Sequence, residues 1–293
     1  MIKSKNNHSL KLIGAAILLL VVCLLLTFRP TAPEKSDISQ LCVNILKIGK
    51  ADSIVLQTED KVMLIDTGET ENADKIKDFL EDNKISKIDS LIITHYDKDH
   101  VGGASSIADS FEIGDVYMPD YEGSRPEYSE FLDALNRKSV KAKRLRNTIS
   151  FNMADCSVTI DPPLSYDIAD NSEEYDNDFS LITTIVHGEN TLVFTGDAED
   201  KRTNEWLSGV HTLSCNLLKM PHHGRYHETT EYLISALAPQ YTVICDSQKH
   251  PAAEETLEIL KAHQTEIYET RYGTVTAISD GKKLTVIQKG DGD

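Results

Sequence analysis

The stretch Ser90-Leu-Ile-Ile-Thr-His95-Tyr-Asp97-Lys-Asp99-His100-Val-Gly102-Gly103 decides the reading of this chain. Leu91, Ile92 and Ile93 form an apolar run that reads as a buried strand. The run ends in four metal-ligand side chains within six residues, His95, Asp97, Asp99 and His100. His95 and Asp97 are two apart, so an extended backbone points both to one side. Asp99 and His100 follow at once, and a bend would aim them at a second point. Gly102 and Gly103 let backbone pack closely behind them. Carboxylates this close repel one another, and a pair of divalent cations removes the conflict. The bland alternative is a solvated charged loop. Partner groups further along the chain weigh against it.

Those partners follow other apolar runs. Asp66-Thr67-Gly68 ends the strand expected at Val62 to Ile65, and Thr195-Gly196-Asp197 follows Leu192-Val193-Phe194. Pro221-His222-His223-Gly224 follows the strand expected over Ser214 to Met220. His-Tyr-Asp-Lys-Asp-His resembles the His-x-His-x-Asp-His signature of the metallo-β-lactamase superfamily, with Asp97 where the second histidine usually stands. The resemblance is to the extracytoplasmic metallo-β-lactamase-like domain of ComEC-type DNA-uptake proteins, and it covers Leu41 to Gln288.

The resemblance implies an α/β fold, a four-layer αββα sandwich. It implies two divalent metal ions, zinc or manganese. One would take His95, Asp97 and the bridging Asp197, and the other Asp99, His100, Asp197 and His223. Which of His222 and His223 ligates stays open, with His223 favoured. Asp52, Asp66, Asn177, Ser180 and Lys219 are the expected supporting residues, and Asp99 and His250 the expected catalytic ones. A plain surface role for His250 is equally open. Ala51 departs from the family's Gly-Gln-Gly-Asp turn, whereas Asp52 keeps it. His187, in a turn ten residues before Asp197, is not expected to ligate.

Leu12 to Phe28 carries no charge and is 17 residues long, at the short end of a bilayer span. Lys3, Lys5 and Lys11 precede it, which favours the N-terminus inside and the domain outside. The expected organisation is a basic segment at 1–11, a membrane anchor at 12–28, a linker at 29–40 and a hydrolase domain at 41–289. A cleaved signal peptide is the rival, but no good small-x-small cleavage site is present. The expected location is therefore the cell membrane, single-pass, with the domain extracytoplasmic.

Beyond the anchor, strand and helix patterns alternate, from a helix over Ala73 to Asn83 to a closing hairpin over Asp280-Gly281. The five cysteines form no Cys-x-x-Cys pair and read as buried free thiols, although an exported domain leaves a disulfide open.

The 47 acidic and 30 basic side chains give a net charge of −17, which repels nucleic acid at long range unless a local patch offsets it. Arg137, Lys138, Lys141, Lys143, Arg144 and Arg146 are the dense basic cluster, either a polyanion grip or a solvated helix end and strand. A site richer in carboxylate than imidazole accepts manganese as well as zinc and suits phosphate esters better than β-lactams. The favoured function is a phosphodiesterase or nuclease that uses water activated by two cations, with DNA as a candidate partner and no obligate protein partner readable. The alternatives are hydrolysis of a phosphocholine ester, lactone, thioester or β-lactam, and a non-catalytic accessory domain with an impaired metal site.

Overall fold

Strand β1 (Leu41–Ile45) buries every second residue, as a strand with one face on a core must. The computed structural model describes residues 38–167, 175–209 and 214–290. After β1 come β2 (Ile54–Gln57), β3 (Val62–Ile65), α1 (Ala73–Asp82), β4 (Lys87–Ile92), the single turn α2 (Lys98–Val101), α3 (Ala104–Ser110), β5 (Glu112–Pro119), α4 (Pro126–Arg137) and β6 (Ala142–Leu145). The second half contains β7 (Ile149–Met153), β8 (Cys156–Asp161), α5 (Tyr175–Asp178), β9 (Ile182–His187), β10 (Asn190–Phe194), α6 (Asp200–Gly209), β11 (Leu217–Lys219), α7 (Thr230–Leu237), β12 (Tyr241–Ile244), α8 (Glu254–Ala262) and β13 (Glu266–Glu269). The hairpin β14 (Thr274–Ser279) and β15 (Leu284–Lys289) returns to the first half, where β14 pairs antiparallel with β1.

Two sheets result, ordered β15-β14-β1-β2-β3-β4-β5-β6 and β13-β12-β11-β10-β9-β8-β7. Their layering follows from strand geometry. Successive side chains of a strand point to opposite faces, and here both faces are covered. Met63 and Ile65 enter the core between the sheets together with Ile92, Ile185, Leu192, Phe194 and Val243. Leu64 and Leu91, one residue out of step, pack instead against Ile76 and Leu80 of α1, Ile107 of α3 and Phe131 of α4. On the far side Val193, Leu218 and Ile244 meet Trp206 of α6, Leu233 and Leu237 of α7 and Leu260 of α8. Helices thus lie outside each of two face-to-face sheets, giving the expected αββα sandwich. The apolar runs are continuous because these strands are buried on both sides.

β3, β4, β5 and β6 run parallel to one another, as do β10, β11, β12 and β13. In open α/β sheets the crevice beyond the carboxyl ends of parallel strands is where ligands bind. The chain reaches that rim after β4 and turns into α2 and α3 through Gly102 and Gly103. Thr67 N donates to the His100 carbonyl at 2.8 Å, and Gly103 N donates to the Gly68 carbonyl at 3.2 Å. A Cβ on Gly103 would stand well inside contact distance of the Thr67 carbonyl oxygen. Gly103→Ala must push the two turns apart, with an expected loss of about 1–3 kcal/mol. The urea midpoint at unchanged m-value measures it, and an unshifted midpoint would show that the turns yield freely.

Helix α6 carries no clear apolar stripe in the sequence because a buried arginine sits on it. Arg202 donates to the carbonyls of Ser180 at 2.9 Å and Asp161 at 2.6 Å, and pairs with Glu205 at 3.0 Å. The basic cluster spans the end of α4, strand β6 and the turn beyond. Arg137, Lys143, Arg144 and Arg146 pair with Asp109, Asp115, Glu122 and Asp120. Most of its charge is answered locally.

Cys42, Cys156, Cys215 and Cys245 are free thiols. Among the described residues no helix is long and apolar enough to cross a membrane. The span expected at 12–28 lies outside the described residues, as does all but the end of the linker at 29–40.

Candidate metal centre

The ligand-type side chains come from strand ends. Asp66 follows β3, His95 to His100 follow β4, Asp197 follows β10, and the Pro221-His222-His223-Gly224 turn follows β11. Asp66, His222 and His223 adopt the left-handed conformation, with φ of 58°, 45° and 54°. Such residues cost about 1–2 kcal/mol each and persist where surrounding structure requires them.

Asp99, His100, Asp197 and His223 bring ligand atoms within 4.8 Å of one another. His100 Nε2 and His223 Nε2 lie 3.2 and 3.1 Å from Asp197 Oδ2, and His223 Nε2 lies 3.3 Å from Asp99 Oδ2. The other ring nitrogens fix the tautomers. His100 Nδ1 donates to Asp66 Oδ2 at 2.8 Å, and His223 Nδ1 donates to the Cys245 carbonyl at 2.9 Å. Thr94 Oγ1 donates to Asp66 Oδ2 at 2.7 Å, so it accepts from His95 Nδ1 at 3.1 Å. Each imidazole therefore keeps its Nδ1 hydrogen on these partners and turns Nε2 inward. His95 Nε2, His100 Nε2, His223 Nε2 and Asp197 Oδ1 are buried and have no hydrogen-bond partner. Buried polar atoms left this way are costly. Imidazole nitrogens and carboxylate oxygens, each backed by a second hydrogen bond, are a donor set that a divalent cation satisfies.

Charge balance supports the same conclusion. Burial works against a charged His223 ring, yet Asp197, Asp99 and Asp52 hold its pKa up at about 9. His100 is likewise held above the ordinary histidine range, against burial, by Asp197 and Asp66. His95 is pushed down to about 4 by burial and by the neighbouring His100. Asp197 stays ionised far below the usual carboxylate range despite burial, because His100, His223 and Lys219 surround it. Protons on His100 and His223 thus occupy the place of a cation near neutral pH. Zinc uptake at pH 7 is expected to release protons, and affinity should rise with pH up to about 9. Calorimetry in two buffers of different ionisation enthalpy measures this. Equal heats would mean that the rings are already neutral.

Supporting residues surround the set. Asp52 pairs with the buried Lys219, which also donates to the Gly196 carbonyl at 3.0 Å and lies 3.5 Å from Asp197 Oδ1. Ser180 Oγ accepts from Asp197 N at 3.1 Å. His95 Nε2 lies 3.8 Å from Asp97 Oδ2, and Arg125 pairs with Asp97 at 3.0 Å. Among the described residues these two are joined by no third ligand atom within 4.8 Å, so the expected His95–Asp97–Asp197 set is not gathered as the other is. Asn177 Nδ2 donates to Glu199 Oε1 at 3.0 Å. His222 is turned from His223, ring centroids 6.3 Å apart, and contacts Glu199 and His227. His187 is buried against Ser279 at 2.7 Å. His250 is exposed on the rim of a cavity of about 650 Å³ that Asp99, His222 and His223 also line.

Sequence reading missed Thr94, Glu199, His227 and the Cys245 carbonyl. Only Glu199 carried a signal, two residues beyond Asp197.

Sandwiched sheets with a histidine–aspartate cluster at the carboxyl strand ends define a metallo-hydrolase type of fold. Residues 47–245 match the metallo-beta-lactamase superfamily, and the chain belongs to it. Within that superfamily it is ComEC-like. It is 24% identical over 255 residues to ComE operon protein 3 of Bacillus subtilis, covering 80% of this chain and 32% of that protein. It is 25% identical over 261 residues to competence protein ComA of Neisseria gonorrhoeae, covering 85% and 34%. The matched region is thus about a third of each relative's length. Among solved structures, YhfI from Bacillus subtilis aligns with a TM-score of 0.53 at 12% identity, covering 79% of this chain and 96% of that one. A diphosphatase of the PhnP family aligns at 0.51 and 11%, covering 86% and 100%. These likenesses are of fold alone.

Proposed function

We propose that this domain is a metal-dependent phosphodiesterase, acting on DNA or another phosphodiester outside the membrane to which an N-terminal span anchors it. The observation that carries the reading is the charge of the cavity wall. In a chain of net charge −17, the cavity over Asp99 and His223 is lined by Lys50, Lys98, Arg225 and Lys249, with Lys50 paired to Asp99 at 3.5 Å and Lys98 to Glu69 at 2.9 Å, so cations outnumber acids on the wall. Basic side chains around a metal-ligand cluster favour an anionic substrate and raise its local concentration.

Asp99, His100, Asp197 and His223 would hold one divalent cation, and His95 and Asp97 would contribute to a second. Bound there, zinc or manganese supplies Lewis acidity and brings the pKa of coordinated water towards 7. Asp66 and the Cys245 carbonyl hold the rings of His100 and His223 in place. His250, exposed on the cavity rim, would give a proton to the departing oxygen. Kinship to DNA-uptake proteins motivates the choice of DNA.

The test is turnover of single- and double-stranded DNA and of bis-p-nitrophenyl phosphate with added zinc or manganese. Cleavage of a carbonyl ester with no phosphodiester turnover under any metal would overturn the proposal. The open His95–Asp97 position favours one further reading, a non-catalytic accessory domain. Fewer than one metal per chain by elemental analysis, together with no turnover, would support it.

A further inference from the structure

Beside the Asp99–His100–Asp197–His223 set lies a separate group, Glu199, His222 and His227, whose ligand atoms are also within 4.8 Å of one another. His222 Nδ1 is 3.0 Å from Glu199 Oε1 and 3.3 Å from His227 Nε2. A tetrahedral zinc ion with bonds of ~2.0–2.2 Å separates its ligand atoms by roughly 3.2–3.6 Å. The two spacings from His222 Nδ1 fall within a few tenths of an ångström of that, and the third, between Glu199 and His227, is held within 4.8 Å.

A proton fits this group poorly. If His222 Nδ1 carries hydrogen, it can donate to Glu199, and His227 Nε2 is left to share that same hydrogen. If His222 Nδ1 is bare, it can accept from His227 but sets its lone pair against a carboxylate oxygen. One cation satisfies all three atoms together.

The surroundings hold the geometry. Asn177 Nδ2 donates to Glu199 Oε1 at 3.0 Å. Asp200 Oδ1 accepts from the backbone N–H and hydroxyl of Thr229, each at 2.8 Å, and His227 N donates to Thr230 Oγ1 at 3.0 Å. Asp200 Oδ2 lies 4.0 Å from His227 Nδ1, on the ring's other side, near enough for charge attraction and beyond hydrogen-bond reach. The left-handed backbone at His222 and His223 sends the two rings to different groups.

We propose that Glu199, His222 and His227 bind a divalent cation of the zinc class at a site separate from the Asp99–His100–Asp197–His223 set. Two imidazoles and one carboxylate leave coordination positions open, and His222 also lines the cavity. The site stands whether or not the neighbouring set performs hydrolysis.

The 293-residue chain, stripped with chelator and re-equilibrated with zinc, is compared with Glu199→Gln and His227→Asn by elemental analysis. Each variant should hold one equivalent less than the unaltered chain. The same equivalent should persist in Asp197→Ala and disappear when His227→Asn is added. A second measurement needs no substitution: the His227 Nε2 resonance in ¹⁵N-imidazole spectra should shift on zinc addition. Equal stoichiometry in all variants with an unmoved His227 resonance would overturn the proposal and leave a hydrogen-bonded network only.

Discussion

Asp197→Ala is expected to lose the cation of the main set and, with it, any hydrolysis. Asp197 Oδ2 is the oxygen that His100 and His223 share, at 3.2 and 3.1 Å, and Asp197 Oδ1 is a buried acceptor without a hydrogen-bond partner. Removing a partner that merely orients a ligand costs 10–100-fold in metal affinity. Removing the shared ligand should cost at least ~10²-fold. Zinc affinity by competition with a chromogenic chelator and turnover at saturating metal should fall together. Affinity and turnover both within threefold of the unaltered protein would mean that the cation sits elsewhere.

Lys219→Met should have the largest effect on stability. Lys219 is fully buried, pairs with Asp52, and lies 3.5 Å from Asp197 Oδ1. Burial opposes its charge, but Asp52 and Asp197 keep its pKa above that of an ordinary lysine. Methionine fills a similar volume and leaves two carboxylates buried without their ammonium. Breaking a buried pair by removing one partner typically costs about 3–5 kcal/mol, a large share of the ~5–15 kcal/mol that holds a domain together. Urea denaturation of the metal-free protein measures it, and zinc should recover part of the loss by supplying positive charge. A change below about 1 kcal/mol would show that the carboxylates find protons or water instead.

Much of this site was legible because its chemistry is written in short motifs. His95-x-Asp97-x-Asp99-His100 and Thr195-Gly196-Asp197 each follow an apolar run, and a strand end is where a parallel sheet presents side chains. The glycine pair announced a close approach, and Thr67 is what it approaches. Legibility failed where partners are assembled from separate elements. Glu199, His222 and His227 form a group only because the chain after β10 and the turn after β11 meet. Helix α6 stayed hidden because Arg202 is buried by backbone carbonyls rather than by apolar neighbours. The basic cluster stayed open between two readings, since its counter-charges come from the α3, β5 and post-β5 segments.

By itself the sequence determined the alternation of strands and helices, the buried strands and the ligand-type residues at their ends. Local periodicity and residue chemistry suffice for these. Only the tertiary structure decided which nitrogen of each imidazole faces the centre, and that His223 joins the main set while His222 turns to Glu199. It also decided that Lys219 balances Asp52. These depend on hydrogen bonds and ion pairs between residues tens to more than a hundred positions apart, such as His223 with Cys245 and Lys219 with Asp52. Distances across a folded core are set by how the layers pack, and no window of sequence contains them.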